Sequence, residues 1–283
     1  MSFADHIRAC NNYNRARVVP FFAGERRIGW LRRDNAAALS RFRRVFRVEP
    51  DRVHLIARGG VDAISAAVDE VVEALVQENR LPKWRNETFD VAPRWGEPPL
   101  FRLDRGAVAF FGVRAYGVDL NGYRRDQGQM HLWVGRRAPD KRLAPDKLDN
   151  LVAGGIGNGY GVAATLAKEA EEEAGIPKSL IAHATPVGAV TYLMENEIGI
   201  RDGVLFVYDL ELPEDFVPQN RDGEVVDFAL MPARDVIERI RRTDDFKFDV
   251  NLVVLDFALR HGLIDINDPE YLDVANGLHR PFD

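Results

Sequence analysis

Three glutamates near the middle of the chain are spaced so that they can act together. Glu169, Glu172 and Glu173 stand at positions i, i+3 and i+4 of the segment LAKEAEEEAGI. If the segment is helical, this spacing places all three carboxylates on one face of the helix. Like charges at such spacings repel one another by roughly a few tenths of a kcal/mol. A divalent cation such as Mg²⁺ or Mn²⁺ would reverse that effect, because these ions prefer carboxylate oxygens.

The residues around the glutamates decide between two interpretations. An isolated run of glutamates is more typical of a solvated acidic helix face than of a metal site. Here a helix predicted from Gly161 to Ala174 has a stop signal at Gly175. A glycine-rich loop precedes it, formed by Gly154, Gly155, Gly157, Gly159 and Gly161. The combination favours a functional acidic face.

The segment Gly154 to Ile176 resembles the Nudix box, written G-x5-E-x7-R-E-U-x-E-E-x-G-U, where U is aliphatic. When the end of the box is placed on Gly175 and Ile176, Gly154 is its first residue. Two positions depart from the pattern: Tyr160 replaces the first glutamate, and Lys168 replaces the arginine. In the family those two residues mainly brace the loop against the helix, and the later glutamates hold metal.

The resemblance implies a role for each acidic residue. Glu169 and Glu173 are expected to bind a divalent cofactor, Mg²⁺ or Mn²⁺, with help from Glu172 and from the backbone carbonyl near Gly154. Nudix proteins often use a further glutamate outside the box as ligand or general base. Glu224, just before a predicted strand, is our candidate, and a plain turn residue is the equally weighted alternative.

Candidate substrate contacts lie on two predicted strands. Arg136 and Arg137 end the run LWVGRR, and guanidinium groups can bind phosphate oxygens in a bidentate manner. Arg136 is the preferred contact, although a surface arginine fits the pattern equally well. The family resemblance alone places Asn121 and Tyr123 near the pocket.

The tryptophans are expected to pack in cores more often than they stack on a ligand. An aromatic platform from the N-terminal domain is the alternative for a heteroaromatic substrate. The four tryptophans are Trp30, Trp84, Trp95 and Trp133.

The resemblance extends beyond the box to about residues 15–265. Segments such as KLDNLVAGG, NRDGEVVDFALMP and the N-terminal FFAGERRIGWL resemble a Nudix subfamily that carries an extra N-terminal domain. That subfamily includes plant chloroplast proteins, a yeast relative and fungal proteins fused to thiamine pyrophosphokinase. It implies a substrate, thiamine diphosphate or its oxidised or damaged analogues, cleaved to the monophosphate and phosphate.

Two other functions remain open at this stage. One is a pyrophosphatase acting on ADP-ribose, dinucleotides or nucleotide sugars. The other is a non-catalytic Nudix module that senses a nucleotide, which the intact acidic trio Glu169, Glu172 and Glu173 disfavours.

The chain is predicted to form two domains and a tail. Its 283 residues are nearly twice the ~150 typical of one domain, and a Pro- and Gly-rich break spans residues 92–99. We expect a small α+β domain over 1–105, a Nudix domain over 106–265 and a tail over 266–283. Strands on both sides of a central helix predict an α/β fold, an α/β/α sandwich with a mixed sheet.

Individual elements can also be predicted. The N-terminal domain should contain a hairpin over Val18–Leu31 and a helix over Val61–Asn79 that Asp62 caps. In the second domain, Ala107–Tyr123 is predicted to form a strand.

Composition excludes several classes of protein. The chain is 46% apolar and 29% charged, which is ordinary for a globular protein, and its net charge of −6 comes with scattered basic residues, so no nucleic-acid partner is expected. No apolar run approaches about 18 residues, so no membrane span is expected. The lone Cys10 and the absence of a signal-peptide pattern predict a cytoplasmic protein. Its expected partner is a small-molecule diphosphate, and a homodimer is left open.

Overall fold

The computed structural model describes residues 1–83 and 87–280. Trp84, one of the tryptophans assigned to core packing, lies outside these residues. The described residues form an N-terminal unit and a larger C-terminal unit, each built on its own sheet. Within the same ranges, no helix has the length and apolar character needed to cross a membrane.

The N-terminal unit combines a four-stranded sheet with a two-stranded ribbon. The chain begins with α1 (Phe3–Ala9), which packs on the C-terminal unit. The elements of the N-terminal unit are a 3₁₀ turn (Arg15–Arg17), β1 (Val18–Ala23), β2 (Arg26–Arg32), α2 (Arg33–Leu39), β3 (Phe46–Val48), β4 (Val53–Leu55), α3 (Val61–Gln77), β5 (Thr88–Val91) and β6 (Phe101–Asp104). The sheet has the order β2-β1-β4-β3, and β5 pairs with β6. The predicted hairpin is present as β1 and β2, which turn at Gly24 with a φ of +58°.

Helix α3 confirms its predicted span to within two residues, but not its predicted cap. Its apolar stripe, including Val68 and Leu75, is buried in the core of the N-terminal unit. Gly60 occupies the N-cap position without a side-chain hydrogen bond. Asp62 instead accepts a 2.8 Å hydrogen bond from Arg102 on β6, so its carboxylate is used to join two elements.

The segment predicted as one strand over Ala107–Tyr123 begins as a helical turn, α4 (Val108–Phe111). Phe110 and Phe111 are adjacent in sequence and both fully buried, which a strand with alternating faces would not achieve within one core. Gly112 then adopts a φ of +56° and lies so close to Trp30 that a side chain would collide with its backbone.

The C-terminal unit is organised around a mixed sheet with the strand order β11-β12-β7-β8-β13. Its elements are β7 (Arg114–Asp126), β8 (Gln129–Arg137), β9 (Leu148–Asp149), β10 (Val152–Gly155), α5 (Val162–Ala174), α6 (Lys178–Ile181), β11 (Thr185–Glu195), β12 (Ile200–Glu211), β13 (Val225–Pro232), α7 (Ala233–Arg242), α8 (Phe248–Arg260) and α9 (Tyr271–Gly277). Strands β7 and β12 are parallel, whereas the other pairs are antiparallel.

Helices cover both faces of this sheet. On one face, Val118 and Leu120 of β7 share a core with Leu166 and Ala170 of α5. On the other face, residues of β8 and β12 pack against α7 and α8. The predicted α/β/α sandwich with a mixed sheet is therefore confirmed.

The two ends of the chain meet on the C-terminal unit. Phe3 and Ile7 of α1 belong to the core that α8 forms with the sheet. Helix α9 lies within the segment predicted as a tail, and Gly277 leaves no room for a side chain beside Ile7. The backbone N–H of Thr191 on β11 donates to Leu278, which ties this segment to the sheet.

Candidate active site

Helix α5 is held at both ends, so that its polar face has a fixed position. The carbonyl of Gly161 accepts hydrogen bonds from the backbone N–H of Thr165 at 3.0 Å and from its hydroxyl at 3.1 Å. Gly175 ends the helix with a φ of +64°, as predicted. Leu166 and Ala170 are buried against the sheet, and Glu169 and Glu173 follow each of them by three residues on the same helix.

Glu173 is the most buried of the three helix glutamates, with 7% of its surface exposed. Its Oε2 accepts a 2.8 Å hydrogen bond from the backbone N–H of Ala153 on β10. Burial raises the pKa of Glu173 well above its usual range, and the charges of Asp149, Glu169 and Glu224 raise it further. The fold therefore places a carboxylate where its ionised form is poorly compensated.

Glu169 lies directly against Gly154 on β10. A Cβ at Gly154 would be 2.3 Å from Cγ of Glu169, so a side chain there would displace Glu169 from its position. Burial raises the pKa of Glu169, and the neighbouring Lys168 partly opposes that rise. The first glycine of the box thus makes space for the first glutamate of the acidic trio.

The ammonium group of Lys168 bridges the carboxylates of Glu169 and Glu172. Its Nζ lies 3.1 Å from Oε1 of Glu169 and 2.8 Å from Oε2 of Glu172. The hydrogen bond with Glu172 is the main factor that raises the pKa of Lys168. With Lys168 in this position, the described residues contain no group of three or more acidic, His or Cys side chains already arranged around a metal.

The residues nevertheless fit a divalent cation. The donors beside Gly154 are carboxylate oxygens, the type that Mg²⁺ and Mn²⁺ prefer, and they already attract one positive charge, that of Lys168. The glycine at 154 keeps the adjoining space free of a side chain. Glu169, Glu172 and Glu173 would therefore hold the ion in place of the Lys168 ammonium group.

Glu224 reaches the same site from the loop before β13. Its half-exposed carboxylate forms an ion pair with Lys141, and its charge acts on both Glu169 and Glu173. The structure thus places Glu224 close enough to the helix glutamates for its charge to act on two of them.

Asp149 was not singled out from the sequence. It is buried, its charge raises the pKa of Glu173, and it accepts a 2.5 Å hydrogen bond from Nη1 of Arg137. Its position within KLDNLVAGG, just before the first box glycine, is the one sequence signal that could have found it.

The structure corrects the prediction that Arg137 contacts the substrate. Besides Asp149, its guanidinium donates to the carbonyls of Leu143 and Ala144 at 3.0 to 3.3 Å. These bonds brace the loop between β8 and β9 from inside. Arg136, which was predicted to be the preferred phosphate contact, is exposed at the end of β8.

Asn121 and Tyr123 were predicted near the pocket, but they lie on the face of β7 that α8 covers. The Asn121 amide donates to Asp209 at 3.0 Å, and both residues are buried. The Tyr123 ring packs 5.7 Å from the rings of Phe257 and His261. Alternation along a strand places neighbouring residues on opposite faces, so these two cannot share the α5 face with Val118 and Leu120.

The N-terminal unit braces the glycine-rich loop. The backbone N–H of Asn158 donates to the carbonyl of Thr88 on β5 at 2.7 Å. The ring of Phe89 lies 2.7 Å from where a Cβ of Gly155 would be. Tyr160, at the position of the first box glutamate, is exposed, so the loop is held by the preceding domain rather than by a Glu–Arg pair.

The mixed sheet, the glycine-rich loop and the acidic face of α5 define a pyrophosphohydrolase. The sequence profile of the NUDIX domain matches residues 115–251, and that of a domain of unknown function, DUF4743, matches residues 2–115. The chain belongs to the Nudix hydrolase family and carries this additional N-terminal domain. Enzymes of this family generally use divalent metal ions.

Three curated proteins are similar to this chain over most of its length. The chain is 39% identical to Nudix hydrolase 20, chloroplastic, of Arabidopsis thaliana, with 98% of this chain and 77% of that protein covered. Nudix hydrolase 24, chloroplastic, of the same plant is 38% identical, with the same coverage. An uncharacterized protein of Saccharomyces cerevisiae is 34% identical over 75% of this chain and 67% of its own length.

Solved structures resemble only part of the chain. A protein of Deinococcus radiodurans is 21% identical with a TM-score of 0.46, covering 59% of this chain and 97% of that one. The NUDIX domain of Shewanella oneidensis NrtR, complexed with ADP ribose, is 15% identical with a TM-score of 0.42, covering 57% and 94%.

Proposed function

We propose that this enzyme hydrolyses the diphosphate of thiamine diphosphate, or of its oxidised or damaged analogues, to the monophosphate and inorganic phosphate. The observation that carries the chemistry is the placement of Glu169 and Glu173 against the glycine strand β10, with Glu172 joined to Glu169 through Lys168. The choice of thiamine rests on the resemblance to the subfamily that includes thiamine pyrophosphokinase fusions.

The helix glutamates would hold the ion, Mg²⁺ or Mn²⁺. Glu169 and Glu173 would provide carboxylate oxygens, Glu172 would assist from the exposed side, and the carbonyl of Gly154 would add a neutral oxygen. When bound, such an ion lowers the pKa of a water molecule and neutralises charge on the diphosphate. The buried position of Glu173 also keeps bulk water away from its oxygens.

Glu224 is the proposed general base. Lys141 holds its Oε2, which leaves Oε1 to accept the proton of the attacking water. Arg136, exposed on the strand that also carries the loop-bracing Arg137, is proposed to contact the diphosphate oxygens.

The direct test is phosphate release with Mg²⁺ or Mn²⁺ from thiamine diphosphate, its oxo and oxy analogues, ADP-ribose, a dinucleotide and a nucleotide sugar. We expect the highest kcat/KM with a thiamine compound. A preference for an adenosine compound would keep the hydrolase and discard the thiamine assignment. Tight binding without cleavage by the wild type would replace the enzyme with a nucleotide-sensing module.

A further inference from the structure

A cleft of about 790 Å³ opens between the N-terminal and C-terminal units. Its floor is the sheet face formed by β7, β11 and β12, including Tyr116 and Phe206. The β1–β2 hairpin lines one side, and the loop between β5 and β6 contributes Trp95. Both units therefore build this cavity.

Three aromatic rings from different elements meet in the cleft. The Trp95 ring centroid lies 4.5 Å from that of Tyr116 and 4.8 Å from that of Phe206, with the planes inclined by 50°. Trp95 is nonetheless 49% exposed, although core packing was the expectation for it. A large ring that is supported by two others and still half open offers a surface on which a flat ligand can stack.

The rings lie close to the acidic site along the same strand. On β7, Val118 pairs with Gly154, the residue that contacts Glu169. Tyr116 is two residues earlier, which corresponds to roughly 7 Å along a strand, and its carbonyl accepts a 2.9 Å hydrogen bond from Ile156. The aromatic rings and the acidic helix therefore lie on the same face of the sheet, next to each other along β7.

The charge of the cleft suits an anionic ligand. Its described lining includes five arginines but only two acidic residues, whereas the whole chain has a net charge of −6. Arg114 is paired with Asp202 at 3.0 Å, and Arg26 is paired with Glu97 at 2.8 Å. Arg94 and Arg280 are exposed, and within residues 1–83 and 87–280 neither has an ion-pair partner.

We propose that Trp95, Tyr116 and Phe206 form the subsite that binds the planar heteroaromatic ring of the diphosphate substrate. The N-terminal unit thereby supplies substrate recognition to the hydrolase, in addition to bracing its glycine-rich loop. This inference rests on the proposed function, because it takes the ligand to be a substrate whose diphosphate reaches Glu169.

The kinetic test compares substrates with and without a ring. Stacking on one aromatic side chain is worth about tenfold or more in affinity. We expect Trp95→Ala to lower kcat/KM for thiamine diphosphate or ADP-ribose by at least about tenfold, mainly through KM, and Trp95→Phe to restore most of it. The kcat/KM for isopentenyl diphosphate, which has no aromatic ring, should stay unchanged. An equal loss on both kinds of substrate, or no loss on either, would overturn the subsite.

A binding measurement separates the subsite from catalysis. Without metal, thiamine monophosphate or AMP should quench the tryptophan fluorescence of the wild type and of the control Trp30→Phe, but not that of Trp95→Phe. Quenching that depends on Trp95 in a protein that hydrolyses no diphosphate would retain the subsite and reject the proposed function. Hydrolysis of a diphosphate together with quenching that does not depend on Trp95 would retain the proposed function and reject the subsite. Whichever of the two ligands, thiamine monophosphate or AMP, binds more tightly identifies the kind of heteroaromatic ring that the subsite prefers.

Discussion

Glu173 and Asp209 are both buried carboxylates of the C-terminal unit, but the fold compensates them differently. Asp209 accepts hydrogen bonds from the Asn121 amide, from the guanidinium of Arg260 and from the His261 ring. Glu173 accepts one from the backbone N–H of Ala153 and is surrounded by other carboxylates. The first arrangement joins β12 to α8 and serves stability, whereas the second leaves the ionised form of Glu173 poorly compensated, at a cost in stability.

The largest expected effect is on turnover. Glu173→Gln should reduce kcat by about 10³-fold, the order found when one electrostatic contact to a transition state is lost. Glu171→Gln is the matched control, because Glu171 belongs to the same helix but is half exposed and faces Arg221 at 3.8 Å. Steady-state phosphate release measures both. Equal activities of the two variants would contradict the assignment of Glu173 to the active site.

The second effect is stabilisation by metal. A cation that binds only the folded protein adds about 2.7 kcal/mol to the free energy of unfolding at a concentration of 100 Kd. Mn²⁺ should therefore raise the Tm of the wild type by several degrees, as followed by circular dichroism. The same titration of Glu173→Gln should give little change, and a full shift in that variant would place the ion elsewhere.

Substitution of Asp209 should lower the stability of the protein and leave its activity almost unchanged. Asp209→Asn removes charge-assisted bonds to Arg260, which are worth about 1.5–3 kcal/mol, and should lower the free energy of unfolding by that order in urea. The kcat of the folded variant should stay within about twofold of wild type, since Asp209 lies on the α8 face. A loss of turnover without a loss of stability would contradict the structural role.

The smallest effect is on the pH dependence of stability. Because the pKa of Glu173 in the folded protein is raised above its ordinary value of 4.5, the folded protein binds more protons than the unfolded one above that pH. In EDTA, the free energy of unfolding of the wild type should therefore fall relative to that of Glu173→Gln as the pH rises from about 5 to about 8. Urea unfolding of both proteins at both pH values measures the difference. If the two free energies of unfolding change in parallel with pH, the ionised form of Glu173 is well compensated and the expectation is wrong.

The sequence predicts the acidic face of α5 because helical spacing is local: Glu169, Glu172 and Glu173 share a face whatever the rest of the chain does. Asn121 and Tyr123 could not be placed in this way. Which face of β7 is covered by α5 and which by α8 depends on packing between elements that are distant in sequence.

The aromatic cleft was even less accessible to prediction. Trp95 was expected to pack in a core, and its exposure depends on how the loop between β5 and β6 lies over β7 and β12. The helical turn at Val108–Phe111 was missed because a short apolar run fits a strand and a buried helix equally well.

Calorimetric titration with Mn²⁺ tests the difference between the two carboxylates most directly. The wild type and Asp209→Asn should bind Mn²⁺ with similar affinity, whereas Glu173→Gln should bind it at least about tenfold more weakly. If Glu173→Gln binds Mn²⁺ as the wild type does while Asp209→Asn loses binding, the roles assigned to the two sites are reversed and the account is wrong.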